Sequence, residues 1–282
     1  MPSAKTSRKQ TVSIVIPMCN EEESISILKE KLAVLHRKLA IDFAVEYCLV
    51  DDGSSDRTWE LMPAVVPQGA RYAWRRHNTN RGLGAAIRTG FKAASGDIVC
   101  TIDADCSYSP ENLSSLIGVV ISGAADVAVA SPYHPQGRVA GVAPWRLLLS
   151  RKCSSLYRIL SPLKLYTYTS IFRAYRRSVV RDLQFHSNGF VSAVEILLRA
   201  HRLGYRITEV PLELRARQHG YSKIRIVRTI CIHLWMMASL VQMRIAGRIH
   251  SRRAIARVLE PAETTAAVSV AVRFGEENSS AG

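Results

Sequence analysis

The chain has 282 residues, 48% of them hydrophobic, and carries 38 Lys and Arg against 23 Asp and Glu, a formal net charge of +15. That length supports a full core, as one large domain or one domain with an appendage, and the charge implies an anionic partner: nucleic acid, a phosphorylated substrate or a membrane surface. The charge is uneven, with no Asp or Glu at 127–181 or 214–259, which argues against a nucleic-acid binder that would be basic throughout. Six cysteines at 19, 48, 100, 106, 153 and 231 show no C-x-x-C or paired spacing, which excludes a disulfide framework and is a reduced, cytoplasmic pattern. The first nine residues are basic and polar with no apolar run behind them, so no signal peptide is expected and the catalytic part is expected to stay inside the cell.

In chain order, residues 12–16 form an apolar run closed by Pro17 and read as a first strand. Ile25, Leu28, Leu32, Leu35 and Leu39 recur at helical spacing over 21–39, with acids in the first turn where the helix dipole favours them. A second strand at 43–50 ends in Asp51-Asp52-Gly53-Ser54-Ser55-Asp56, where Ser55 or Asp56 can cap a following helix. A weaker strand at 71–76 leads to Asn80-Arg81-Gly82-Leu83-Gly84 and a helix through Ala94. The apolar run 97–102, a helix at 110–121 and a strand at 126–130 complete an alternation that predicts a doubly wound, mostly parallel α/β sheet flanked by helices. Further on, 144–160 reads as a basic amphipathic helix with Trp145, Leu148, Leu149, Leu156 and Ile159. A strand is expected at 169–175, a helix at 189–201 and a strand at 205–214 interrupted at Pro211. The segment 224–249 is apolar but bracketed by arginines, and its uncharged core 229–243 is shorter than the roughly 20 residues a spanning helix needs. An in-plane interfacial helix with snorkelling arginines fits it better, an ordinary core or dimer helix being the alternative. Residues 260–282 are small and polar and read as a disordered tail.

The chemistry concentrates at strand ends. Asp103-Ala104-Asp105 follows a strand whose carboxyl end faces the crevice where open α/β sheets bind ligands. Two acids one residue apart on extended backbone point the same way, so they can share one hard divalent cation whose other ligands are phosphate oxygens. Alone, such a pair is as readily an acidic loop. The turn at Asp51 to Asp56 can hold a base or ribose through a carboxylate, or can be a plain strand-to-helix turn. Asn80 to Gly84 offers close backbone approach and free amides at a helix N-terminus, suited to phosphate, without being a Walker loop. Three such turns on one sheet edge are far less probable by chance than one.

Together these motifs resemble family 2 glycosyltransferases of the GT-A fold. The stretches that carry the resemblance are Ser13-Ile14-Val15-Ile16-Pro17-Met18-Cys19-Asn20-Glu21, Val50-Asp51-Asp52-Gly53-Ser54-Ser55-Asp56, Asn80-Arg81-Gly82-Leu83-Gly84 and Asp103-Ala104-Asp105. Later stretches are similar to the dolichol- or polyprenol-phosphate mannose synthase branch: Trp145-Arg146 with Ser150, Thr169 to Tyr175, Gly189-Phe190 with Glu195, Glu209-Val210-Pro211, and Arg217-Gln218-His219-Gly220-Tyr221-Ser222-Lys223. The resemblance spans about residues 11–245. It implies that Pro17, Asn20, Glu21, Asp52, Gly82, Gly84 and Asp103 border the nucleotide sugar, and that Asp103 and Asp105 hold Mg²⁺ or Mn²⁺. It places Arg146, Ser150, Arg217 and Lys223 around the acceptor phosphate and leaving diphosphate, where planar guanidiniums suit phosphate oxygens. The sequence departs from that branch at Ser107, where a Gln is usual, at Pro132, where a phosphate-binding Arg is usual and Arg138 is the candidate replacement, and at Ile171, where a Gly is usual.

The implied activity is metal-dependent, inverting transfer of a hexose from a nucleotide diphosphate sugar to a polyprenol or dolichol phosphate, with a hydroxyl acceptor as the alternative. A phosphate acceptor is already ionised and needs no strong base, whereas a hydroxyl needs one. Glu195 is the second-half candidate, equally readable as structural. The expected organisation is a basic tail at 1–10, a GT-A domain at 11–221, a basic membrane-associated helical segment at 222–258 and a tail at 259–282. The expected partners are the nucleotide sugar, the lipid acceptor and the cytoplasmic face of a membrane, and not nucleic acid.

Overall fold

A computed structural model describes residues 9–217 and 226–245. Its centre is β1 (Thr11–Met18), buried along its whole length as a parallel strand covered on both faces must be. β2 (Ala44–Asp51) pairs with it in parallel from Thr11↔Ala44 to Met18↔Asp51. On the other side β4 (Ile98–Thr101) pairs only from Val12↔Ile98 to Val15↔Thr101, and the last bond of that edge runs from the Ile102 N–H to the Val15 carbonyl. Pro17, two residues on, turns its donorless nitrogen toward this unpaired side, which is where a strand tolerates proline.

The seven-stranded sheet runs β3-β2-β1-β4-β7-β5-β8, with β3 at Arg71–Arg76, β5 at Val127–Ser131, β7 at Arg173–Arg176 and β8 at Ile207–Pro211. β7 lies antiparallel between β4 and β5, so the sheet is mostly parallel, as expected, with one reversed strand. That reversal is positionally useful: the amino end of β7 opens on the same edge as the carboxyl ends of β1, β2, β4 and β5. The strand expected at 169–175 is therefore shorter. Residues before Arg173 form a connection whose Ile171 carbonyl accepts from Thr101 Oγ1 and whose Phe172 carbonyl accepts from Ala130 N.

The strand expected at 205–214 divides. Pro211 ends the ladder with β5 at Ser131↔Pro211, and the chain crosses to a separate parallel pair of β6 (Arg138–Ala140) with β9 (Glu213–Arg215). β6 has too little apolar periodicity to be legible in sequence.

Helices cover both faces. α1 (Ile25–Leu39) buries Ile25, Leu28, Leu32, Leu35 and Leu39, each worth about 1.5–3 kcal/mol when fully buried. It shares one core with α4 (Leu113–Ile121) and with Ile14 and Ile16 of β1. The opposite core takes Val15 of β1 with α3 (Leu83–Ala93) and α7 (Ser192–Arg202). α2 (Thr58–Leu61) is a single turn, its start fixed by Asp56, whose Oδ1 accepts from Thr58 N at 3.0 Å. α6 (Arg177–Asp182) follows β7 directly.

α5 (Pro144–Leu160) matches its expected bounds, and α8 (Ile226–Ile245) lies against it. Tyr157 OH meets His233 Nδ1 at 2.9 Å in the buried seam between them. Burial lowers the His233 pKa to about 4, keeping the ring neutral there. Among the described residues, no helix is long and apolar enough to cross a membrane.

Candidate active site

The carboxyl ends of β1, β2 and β4 bring the three predicted turns to one edge. Asn20, with φ of 49°, ties two of them together: its N–H donates to Ser54 Oγ at 2.8 Å, and its Oδ1 accepts from Ser55 N at 2.7 Å. Glu21 N–H donates to Thr58 Oγ1 at 2.7 Å, and its carboxylate accepts from Ser24.

The first two acids of the second turn, Asp51 and Asp52, are turned inward. Asp51 is fully buried, accepts from Ser54 and pairs with Arg76 Nε at 3.0 Å. Asp52 is 3% exposed, and its Oδ1 meets His77 Nδ1 at 2.7 Å and accepts from Arg81 N at 3.0 Å. Its Oδ2 accepts from Gly82 N at 2.7 Å. Asp52, expected beside the nucleotide, thus anchors the glycine-bearing loop from beneath.

The glycines of that loop also have a packing reason. Gly82 has φ of 96°, and a Cβ on it would sit 2.4 Å from the Asn188 carbonyl oxygen. A Cβ on Gly84 would meet Ser187 O at 2.0 Å. The close backbone approach that sequence reasoning assigned to phosphate is made here to the loop at 187–189, reinforced by Gly84 N to Asn188 O at 2.7 Å. Glu195 holds that second loop, accepting from His186 N, Ser187 N and Arg199 Nε at 3.0, 2.8 and 2.6 Å. Of its two readings the structural one holds: a carboxylate with three donors is a poor base.

Asp103 and Asp105 behave differently. Asp103 is half-buried and accepts no hydrogen bond among the described residues. Burial first, then the neighbouring Asp105 charge, raises its pKa well above 3.8, while Arg217 pulls it back. Asp105 Oδ1 accepts from Ser107 N at 2.9 Å and Oδ2 from Arg217 Nη2 at 2.6 Å. Arg217 Nη1 also lies 3.8 Å from Glu21 Oε1. The left-handed Cys106, with φ of 54°, makes the tight bend.

This is a fit for a hard divalent cation: one carboxylate lacks a hydrogen-bond donor among the described residues, a second stands beside it, and burial makes unneutralised charge costly. Among the described residues no three His, Cys, Asp or Glu side chains gather as a complete metal cage. A bound diphosphate can supply further oxygen ligands to such an ion.

The predicted basic groups lie on later elements. Arg138 opens β6 and is exposed; Arg146 is exposed on the first turn of α5, stacked over Trp145 at 5.1 Å. Ser150, one turn further, faces Thr169 at 3.4 Å. Lys223 lies outside the described residues. One basic group of the Thr169 to Tyr175 stretch has no role assigned from the sequence. Arg173 is fully buried at the start of β7, bonds the Tyr168 carbonyl at 3.0 Å and leaves Nε without a partner. Its charge acts on Asp103. A lone Arg inside Ile171-Phe172-Arg173-Ala174-Tyr175 was the available signal.

A model of the family "Glycosyl transferase family 2" matches residues 13–184. The chain belongs to family 2 of the glycosyltransferases, and it is a glycosyltransferase. It is 32% identical over 223 residues to a polyprenol monophosphomannose synthase of Mycolicibacterium smegmatis, covering 76% of this chain and 81% of that one. It is 32% identical over 218 residues to a dolichol-phosphate mannosyltransferase of Pyrococcus furiosus, covering 76% of this chain but 59% of the relative. An undecaprenyl-phosphate 4-deoxy-4-formamido-L-arabinose transferase of Yersinia enterocolitica is 31% identical over 228 residues, covering 80% of this chain and 66% of that one. These relatives place the family member in the branch of polyprenol-phosphate sugar transferases. Glucosyl-3-phosphoglycerate synthase of Mycobacterium tuberculosis, solved with Mn²⁺, UDP and glucosyl-3-phosphoglycerate, superposes with a TM-score of 0.59 at 22% identity, over 83% of this chain and 80% of that one. That likeness establishes the GT-A fold.

Proposed function

We propose that this enzyme transfers a hexose from a nucleotide diphosphate sugar of GDP-mannose or UDP-glucose type to a polyprenol or dolichol phosphate, inverting the anomeric carbon. The observation that carries the reading is the Asp103 carboxylate, which accepts no hydrogen bond among the described residues, beside Asp105 at the sheet edge shared with the β1 and β2 turns. Asp103 and Asp105 hold Mg²⁺ or Mn²⁺, which when bound offsets charge on the departing diphosphate. Pro17, Asn20 and Glu21 border the nucleotide, and Gly82 and Gly84, positioned by Asp52, shape the wall beside it. An oxygen of the acceptor phosphate forms the bond to the anomeric carbon as the bond from that carbon to the donor diphosphate breaks. Arg138, Arg146, Ser150, Arg217 and Lys223 orient the two phosphate groups, so positioning and charge carry most of the rate. A phosphate acceptor needs no proton removed, which suits a site whose Glu195 is already occupied by three donors.

Membrane contact belongs to the same reading. On α5, Trp145, Leu148 and Ile159 are 52, 58 and 65% exposed, and on α8, Leu234 and Trp235 are 55 and 52% exposed. Arg146, Arg151 and Lys152 are exposed among the α5 residues. Apolar side chains with interleaved cations suit an anionic bilayer surface on the cytoplasmic side, with the enzyme lying on the membrane.

The test is a thermal-shift screen of GDP, UDP and their mannose and glucose conjugates with Mn²⁺, followed by transfer of radiolabelled sugar to polyprenol phosphate. A mild-acid-labile glycolipid product is expected. An acid-stable product would move the reaction to a hydroxyl acceptor, and full turnover by Asp103→Ala would sink the metal assignment. Equal sedimentation with neutral and anionic vesicles, or with neither, would count against the membrane face.

A further inference from the structure

Asp105 has no oxygen left idle. Oδ1 is held by Ser107 N, and Oδ2 accepts from Arg217 Nη2 at 2.6 Å, with Glu21 at 3.8 Å on the other arm of the same guanidinium. The backbone leading to Arg217 is fixed to the same turn by Arg215 N, which donates to Ser107 O at 2.9 Å, and to β6 by Ala216 N, which donates to Ala140 O at 2.9 Å. The backbone just after β9 therefore holds the guanidinium beside Asp105 and Glu21. Arg217 is partly accessible, its side chain 25% exposed, so an incoming anion can reach it.

We propose that Arg217 is an internal counter-cation standing in the metal's place on Asp105 in the donor-free enzyme. A divalent ion and a guanidinium on one carboxylate oxygen repel each other, so metal alone competes with Arg217 and binds weakly. A diphosphate arriving with the metal changes the balance. It brings oxygens that match the guanidinium bidentately, and Arg217 passes from Asp105 to phosphate as the ion takes its position. The exchange frees Glu21 as well, opening the nucleotide side and the metal side in one event. Metal and donor then enter as a unit, and the enzyme does not hold a bare ion that would draw in free phosphate. No covalent step is involved. The inference rests on the proposed metal role of Asp103 and Asp105.

Direct Mn²⁺ binding to the full chain, read by electron paramagnetic resonance of the free ion, tests it without turnover. In the absence of nucleotide, Arg217→Gln should bind Mn²⁺ about tenfold more tightly than the unaltered protein, the expected result of removing one adjacent positive charge. Arg217→Lys, which keeps the charge but loses the fork, should fall between them. Adding GDP or UDP should tighten Mn²⁺ binding more in the unaltered protein than in Arg217→Gln, because only the former has a guanidinium to hand to the diphosphate. Unchanged or weaker Mn²⁺ binding by Arg217→Gln overturns the proposal, and so does an advantage that persists undiminished with nucleotide present. If the unaltered protein binds no Mn²⁺ even with both nucleotides, the metal assignment itself fails, a separate outcome.

Discussion

Asp52 separates an anchoring role from direct nucleotide contact. Its carboxylate is 3% exposed and accepts three donors: His77 Nδ1 at 2.7 Å, Arg81 N at 3.0 Å and Gly82 N at 2.7 Å. His77 Nε2 meets Thr89 Oγ1 at 2.9 Å, so the ring has a partner on both sides and fits the tautomer with its proton on Nδ1. Asp52→Ala strips the acceptor from two partly buried backbone amides and one buried ring N–H. Each orphaned donor costs about 1–3 kcal/mol, and with partial relaxation the sum is roughly 3–5 kcal/mol. Asp52→Asn keeps one accepting oxygen but turns an NH₂ toward a donor, for about 2–3 kcal/mol. Urea unfolding gives the stability change, and titration with GDP or UDP in Mn²⁺ gives the affinity change. Both should fall together, in the order Ala then Asn, because the nucleotide effect is transmitted through the displaced loop at Asn80 to Gly84. Full stability combined with lost nucleotide binding would refute the anchoring argument and return Asp52 to direct contact.

Three further predictions follow from the same geometry. Gly84→Ala puts a methyl 2.0 Å from Ser187 O and 2.6 Å from Ser192 Cβ, and should cost about 1–3 kcal/mol or more. Gly189→Ala, with nothing within 4 Å, should change unfolding by no more than about 0.5 kcal/mol, and equal effects would contradict the packing account. Because the Asp103 pKa is raised in the fold, its contribution to stability is full below the ordinary carboxylate value of 3.8 and is lost as pH rises through the raised value. The metal-free protein should therefore weaken as pH climbs from 3.8, and stabilisation by Mn²⁺ in thermal melts should grow over that range; a Mn²⁺ effect independent of pH would count against it. Arg173→Met replaces a buried guanidinium lacking a carboxylate partner among the described residues, and should leave stability unchanged or raise it by about 1–4 kcal/mol. Calorimetry should show it binding Mn²⁺ with diphosphate more weakly, whereas unfolding with unchanged affinity would make Arg173 purely structural.

The elements legible in the sequence were those whose pattern reports burial. Leu28, Leu32 and Leu35 specify α1 because a helix exposes one face, and the run around Val15 specifies β1 because a central parallel strand exposes none. Trp145, Leu148 and Ile159 gave α5 its apolar face, though not the fact that this face stays open. What stayed illegible depended on partners distant in the chain. β7 has the same local pattern in either direction, and its reversal comes from pairing with β4 and β5 together. β6 exists because Pro211 expels the chain toward residue 138. At the site, Asp103 and Asp105 stood out because their i, i+2 spacing follows a buried strand. Asp52 and Glu195 could not be read, since an acid that accepts backbone amides looks in sequence like one that meets a ligand.

The departures at Ser107, Pro132 and Ile171 fall on the side of the site away from the β1 and β2 turns. Ser107 acts through its backbone: its N–H fixes Asp105, and its carbonyl accepts from Arg215, joining the acidic turn to β9. Any residue except proline can do that, so loss of the usual Gln removes a possible ligand without removing the support beneath Asp105. Pro132 is buried, directly after Ser131, whose Oγ meets Thr167 Oγ1 at 2.8 Å. An arginine there would have to emerge from a packed position. The exposed Arg138 is six residues on, in a strand paired with β9, and β9 leads into Arg217. A guanidinium at 138 therefore moves with the strand that carries Arg217, where one at 132 would move with β5. On the proposed acceptor role of Arg138, the change would move a phosphate-binding charge from the seven-stranded sheet to the smaller β6-β9 pair. Donor-side geometry is untouched by it. Acceptor choice is the property such a transfer alters, and Arg138→Ala should accordingly raise the KM for the lipid phosphate while leaving that for the nucleotide sugar unchanged.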